Sequence, residues 1–217
     1  MSGRGQFLLW EKRMTDRRRA LATLGALALT PWLPGHAQAL ERTPTPELTE
    51  GPFYPRAFPA DRDADLTRVA GRAVAASGTP LEFSGRLLDR RGRPLAGRAI
   101  EIWHCDEFGQ YHHIGEPEGA GDAAFQGWGE ALADGEGRFA FRTIKPPPYP
   151  GRTPHIHFTV RDGRRRVLTS QAFFEGERGN ERDFLYRSLG SGAKLVTLRL
   201  ESAGRGLRGA LDVVLGG

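Results

Sequence analysis

A single cysteine, Cys105, in 217 residues rules out an intramolecular disulfide framework, so the fold must hold by packing, helped by a metal if one is bound. Long apolar runs are missing too. The stretch 20–29 offers about ten apolar residues, too few to span a bilayer, and no stable membrane anchor is expected. The body of the chain also lacks a charge surplus. Residues 1–39 hold Arg4, Lys12, Arg13, Arg17, Arg18 and Arg19 against Glu11 and Asp16, which leaves 25 positive and 24 negative side chains beyond Ala39. A near-neutral body with interspersed signs gives no electrostatic ground for binding nucleic acid, and none is expected as partner. There is no internal repeat, and no convincing helical period in the body beyond a turn around 181–187.

What is present begins with an address. Arg17-Arg18-Arg19 precede the apolar run and a small-residue site, Ala37-Gln38-Ala39. The string Asp16-Arg17-Arg18-Arg19-Ala20-Leu21 resembles a bacterial twin-arginine export signal, the route for proteins that cross the membrane already folded. The expectation is cleavage after Ala39 and a periplasmic or secreted product, with Met14 an alternative start to Met1. The remaining 178 residues suffice for one domain with a real core.

Residues 40–80 are rich in Pro, Thr, Arg and Asp without a sustained apolar period, and read as an extended N-terminal arm. Its one aromatic cluster is Thr49-Glu50-Gly51-Pro52-Phe53-Tyr54-Pro55. From 81 to 217, short β-type runs alternate with turn signals, at 81–89, 98–104, 137–143, 155–161, 167–174, 195–201 and 209–215. Seven such runs predict an all-β fold, a β-sandwich of short, mostly antiparallel strands. Asp89 to Gly92 and Asp134 to Gly137 carry the Asp and Gly placements of tight turns.

The strongest local chemical signal is His155-Ile156-His157. Side chains two apart on a strand share a face, so the two imidazoles can meet one point. By itself the pair is a weak signal, since ordinary hydrogen-bonded strand histidines account for most such pairs. No second Cys is available, and the adjacent His112 and His113 would point to opposite faces of a strand, which leaves carboxylates and phenols as further ligands. Tyr149 lies in a loop stiffened by Pro146, Pro147 and Pro148 that leads into the His-x-His strand, and Tyr111 follows Phe108-Gly109-Gln110.

Taken in order, Ile100-Glu101-Ile102-Trp103-His104, Gly109-Gln110-Tyr111, Gly137-Arg138-Phe139, Phe141 through Pro150 and His155-Ile156-His157-Phe158 resemble the intradiol ring-cleavage dioxygenases, the non-haem ferric enzymes that include protocatechuate 3,4- and catechol 1,2-dioxygenases. The resemblance covers most of 49–175. It implies one mononuclear Fe(III) held by Tyr111, Tyr149, His155 and His157, with the ion keeping the phenols deprotonated at neutral pH. It further implies a catechol substrate that binds through both oxygens, Tyr149 as the displaced phenolate that helps receive the substrate proton, and O2 as co-substrate. The expected product is a cis,cis-muconate-type diacid. Arg152 matches an arginine that stabilises charge on the substrate ring, Gln171 matches a glutamine beside the metal set, and Tyr54 matches an aromatic lining the substrate pocket. Trp103 and Trp128 read as core or pocket wall. The loop from Tyr149 to His155 is shorter than in the best-known members, and the chain looks closer to the protocatechuate type than to the catechol type.

Two other readings compete. Gly85 through Gly97 also resembles transthyretin-like sandwiches of exported binding modules, which would need no metal. A zinc hydrolase would keep the metal, but phenolates are uncommon zinc ligands. The preferred catechol and the oligomeric state, a homo-oligomer included, stay open at the level of sequence.

Overall fold

The computed structural model describes residues 41–112 and 121–216; the expected export signal at 1–39 and His113 lie outside them. Among the described residues the strands are β1 (Pro80–Asp89), β2 (Ala99–Trp103), β3 (Trp128–Leu132), β4 (Arg138–Ile144), β5 (His155–Asp162), β6 (Arg165–Phe174), β7 (Thr197–Leu198), β8 (Glu201–Ala203), β9 (Gly206–Ala210) and β10 (Val213–Leu215). A short helix, α1 (Phe184–Ser188), and a 3₁₀ stretch, Gly190–Val196, join β6 to β7.

Alternation builds the first sheet. In β1, Leu81, Phe83 and Leu87 are buried while Glu82 and Arg86 face water, and in β4 Phe139 and Phe141 are buried between exposed Arg138, Ala140 and Arg142. β1 is central, pairing antiparallel with β4 and in parallel with both β9 and β10. The segment expected as one strand at 209–215 is two, and both follow β1 in the same register, with Leu207 beside Leu81 and Val213 beside Leu87. The break falls where Leu211 leans onto β1, its N–H donating to the Ser84 carbonyl at 2.9 Å. A Cβ on Gly85 would stand 1.9 Å from the Leu211 oxygen, so only glycine permits that approach.

The second sheet runs β3-β2-β5-β6-β7. Sequence patterning does not reveal β3, because Gly129 and Glu130 interrupt any apolar alternation. Between the sheets lies the core, with Ile100 and Ile102 from β2 and Ile156, Phe158 and Val160 from β5 meeting the aromatic rings of β1 and β4. Both expected tight turns form: the Asp89 and Asp134 carboxylates each accept from N–H groups two and four residues on.

β5 departs from the pattern of a half-solvated strand. His155, His157 and Thr159, which face away from the sandwich core, are as buried as the apolar residues between them. The covering layer is the N-terminal arm. Thr45 N–H donates to the Val214 carbonyl and Val214 N–H to Thr45 Oγ1, each at 2.9 Å, and Leu48 N–H donates to the Thr169 carbonyl at 2.9 Å. The arm therefore ties β10 of one sheet to β6 of the other before its aromatic cluster folds over the outer face of β5 and β2.

Candidate metal centre

β5 sets the first two groups. His155 Nδ1 donates to the Thr153 carbonyl at 2.7 Å, which fixes the tautomer and leaves Nε2 as a lone-pair donor. That Nε2 faces His157 Nε2 at 3.2 Å and lies 3.3 Å from the Tyr149 hydroxyl. The Tyr111 and Tyr149 rings meet edge to face with centroids 5.9 Å apart, and Tyr111 lies 6.1 Å from the His157 ring. The two tyrosines and two histidines expected from the sequence thus converge from one strand and two separate loops.

Each loop has its own device. Asp106, fully buried, accepts from Phe108 N–H and Gln110 N–H at 2.9 Å on one oxygen, and from Asp122 N–H and His112 Nε2 on the other, which shapes the turn that delivers Tyr111. Burial opposes charge on Asp106, yet these donors hold its pKa below the usual carboxylate value. In the second loop Arg152 N–H donates to the Tyr149 carbonyl at 2.9 Å, closing a turn between the phenol and the histidine strand.

The local electrostatics suit a cation. Burial holds the His155 pKa down to about 3 and that of His157 well below its ordinary value, so both imidazoles are neutral with lone pairs to offer. Burial also raises both phenols, Tyr111 strongly. A neutral Tyr111 hydroxyl here is costly, because it is buried with no hydrogen bond of normal length. A metal ion among these atoms would satisfy it and reverse the shift on both phenols. Among the described residues no cluster of three or more His, Cys, Asp or Glu could hold a metal, so any metal set here depends on the phenols.

Arg152 lies beside this cluster, one-tenth exposed. Its Nε donates to Asp183 Oδ2 at 2.8 Å and its Nη2 to Gln171 Oε1 at 2.5 Å, while the Gln171 amide donates to the Thr49 carbonyl at 3.1 Å. Burial works against the Asp183 carboxylate, but donors from Tyr186, Arg152 and Thr153 keep its pKa low, and the same residue caps α1. Tyr54 is placed differently from the others: its hydroxyl donates to Glu101 Oε2 at 2.7 Å and accepts from Arg161 at 3.1 Å. Its neighbour Phe53 stacks on Tyr111 with centroids 4.4 Å apart and meets Tyr149 edge-on at 6.3 Å.

Sequence reasoning missed Phe53, Asp183 and Asp106. It set Trp103 as wall or core; cross-strand register puts Trp103 opposite His157, with the two rings stacked at 4.9 Å and 16°. The cleft of about 370 Å³ lined by Thr67, Arg142 and Leu207 is on the first sheet and holds none of these residues.

His104 shows what burial without a metal role looks like. It is fully buried, with Nδ1 on the Cys105 carbonyl at 2.8 Å and Nε2 on Thr143 Oγ1 at 2.7 Å, and burial lowers its pKa to about 4. The unfolded chain takes up this proton near the ordinary value of about 6.5, so stability is intact above that pH, declines as pH falls from there toward 4, and is lowered by about 3 kcal/mol at the end of that window. Urea melts of wild type and His104→Gln at pH 7 and pH 4.5 are expected to show the acid loss shrinking in the variant; equal losses would contradict this assignment.

The family model described as Dioxygenase matches residues 49–217. The protocatechuate 3,4-dioxygenase beta chain of Burkholderia cepacia is 35% identical over 124 residues, 53% of this chain and 53% of that protein. Hydroxyquinol 1,2-dioxygenase of Nocardioides simplex is 29% identical over 169 residues, 70% of this chain and 53% of its own length. The chain spans about half the length of the curated relatives it matches. Among solved structures, the dioxygenase domain of a carbohydrate-binding fusion protein from Streptomyces sp. SirexAA-E superposes with a TM-score of 0.65 at 33% identity, covering 80% of this chain and 98% of that one. An intradiol ring-cleavage dioxygenase from Tetranychus urticae shares the fold at a TM-score of 0.65 and 22% identity, covering 81% of this chain and 95% of its own. With the sandwich, the ordered motifs and the match over 49–217 together, this chain belongs to the intradiol dioxygenase family.

Proposed function

We propose that this chain holds one non-haem Fe(III) between Tyr111, Tyr149, His155 and His157 and uses O2 to cleave a catechol-type ring between its two hydroxylated carbons, giving a cis,cis-muconate-type diacid. The observation that carries the reading is the convergence of two neutral imidazoles and two phenols, one of them a buried Tyr111 hydroxyl with no hydrogen bond of normal length, on one spot. Bound there, ferric ion would supply the Lewis acidity that keeps the phenols ionised and that activates a catecholate toward dioxygen.

The chain's own residues have separable tasks. Tyr149, on the proline-stiffened loop and less buried than Tyr111, would as the phenolate kept ionised by bound metal take up the proton a catechol hydroxyl gives up. Arg152 keeps a fixed positive charge near the reacting ring, oriented by Asp183 and Gln171 before substrate arrives, so little reorganisation is needed. Phe53 and Trp103 wall the cluster and exclude water. The substrate class follows relatives named for protocatechuate, catechol and hydroxyquinol, and the ring substituents accepted by this chain are left to a substrate screen. The export signal at 1–39 would deliver the enzyme to the periplasm or medium. A transthyretin-like binding module without metal is not favoured by the family assignment.

The test is the visible spectrum and iron content of the chain from Leu40 onward, followed by anaerobic catechol. A red protein with about one iron per chain, whose spectrum shifts on catechol and which then consumes oxygen, is expected. A folded protein that stays colourless after ferric reconstitution would overturn the proposal.

A further inference from the structure

The outer face of the second sheet carries a second set of buried polar groups, about two residues along the strands from the histidines. Glu101, on β2, is only 3% exposed. Its two oxygens are both taken, one by Arg161 Nε and the other by the Tyr54 hydroxyl at 2.7 Å, while Arg161 Nη2 donates to the same hydroxyl at 3.1 Å. Burying a carboxylate and a guanidinium in this way is no gain in stability by itself, since an apolar pair would do as well. What the pair does is hold a phenol that comes from the arm.

Tyr54 is fixed on its faces as well as at its hydroxyl. Its ring meets Trp103 edge-on at 4.9 Å, and the Arg166 guanidinium lies over it at 4.4 Å while Arg166 also pairs with Glu50. Trp103 is in turn stacked on His157. The residues just before Tyr54 cover the site: Phe53 stacks on Tyr111, and Gly51, at a φ of 74°, runs so close that a Cβ there would stand 3.5 Å from His157 Cε1. Further back, the Thr49 carbonyl accepts from the Gln171 amide, whose oxygen holds Arg152. The contacts of 49–54 with the four-residue cluster therefore sit on a stretch with no strand of its own, held on one side by Leu48 N–H on the Thr169 carbonyl and on the other by Tyr54.

We propose that Glu101 and Arg161 form a latch for Tyr54, and that Tyr54 is a positioning residue which holds the arm closed over Tyr111 and His157 rather than a group that touches substrate. The latch is defined by the arm's closure, and its effect on metal rests on the function proposed above. It also explains why a hydrogen-bonded ion pair is buried on the face that carries the chemistry.

The test is amide hydrogen exchange in the metal-free protein together with Fe(III) retention against a competing chelator, in wild type, Tyr54→Phe and Glu101→Gln. Tyr54→Phe keeps the ring on Trp103 and removes only the hydroxyl. Expected are exchange at 49–54 accelerated by roughly tenfold with β1 and β4 unchanged, and Fe(III) retention weakened by about tenfold, the scale of lost supporting contacts around a metal. Glu101→Gln keeps an acceptor for Tyr54 and is expected to shift both readouts in the same direction by less. Exchange at 49–54 equal to wild type in Tyr54→Phe, or acceleration spread equally over β1 and β4, would overturn the latch. Wild-type protein that takes up no Fe(III) would overturn the proposed function, and the exchange pattern would still decide the latch.

Discussion

His157→Ala is expected to lose nearly all bound iron and to show below about 1% of wild-type ring cleavage, because the chemistry is supplied by the metal its imidazole would help hold. The residue is 1% exposed, stacked on Trp103 and facing His155 Nε2 at 3.2 Å, so its loss leaves a buried gap in the donor set. Tyr149→Phe deletes one oxygen and leaves the loop intact. It is expected to lose activity as completely while keeping more iron than the histidine variant. Metal analysis and oxygen uptake on both proteins check this. Full turnover by His157→Ala would remove His157 from the ligand set.

The second large effect concerns rate without metal. Arg152→Ala is expected to keep its iron and lose roughly 10²- to 10³-fold in kcat, the range seen when one oriented charge is removed from a reacting centre. The structure explains why the fold should survive: Asp183, which loses its guanidinium partner, still accepts from Thr153, Leu185 and Tyr186 N–H at about 3.0 Å. A modest stability cost of about 1–3 kcal/mol goes with breaking a buried charged hydrogen bond. Unchanged kcat, or iron lost along with rate, would show that Arg152 does not act on the substrate.

How much of this was legible in the sequence depends on the kind of signal. Strands that alternate, such as β1 and β4, announce themselves, and the His-x-His pair with two tyrosines in ordered motifs pointed to the residues that converge. β3 was not legible, since pairing with β2 and not its own composition makes it a strand. The covered outer face of β5 was equally hidden. A run of His155 to Val160 reads the same whether its second face meets water or an arm. Part of the arm is held by backbone groups, as in Thr45 N–H to Val214 and Leu48 to Thr169, and backbone pairing leaves no side-chain signature. Phe53 stood only as a member of the arm's aromatic cluster, with nothing in the local sequence to link its ring to Tyr111. Asp183 lies 31 residues from Arg152, and nothing in either local sequence links them.

Thr45 and Val214 are 169 residues apart and hydrogen-bonded, and β10 lies beside β1 in the same sheet. β10, and with it the tie to the arm through Thr45, can join the sandwich only after β1 to β9 have been made. If the four donor groups hold a metal as proposed, the arm would cover it late in folding, and the compartment in which the chain folds would decide which ions the site meets.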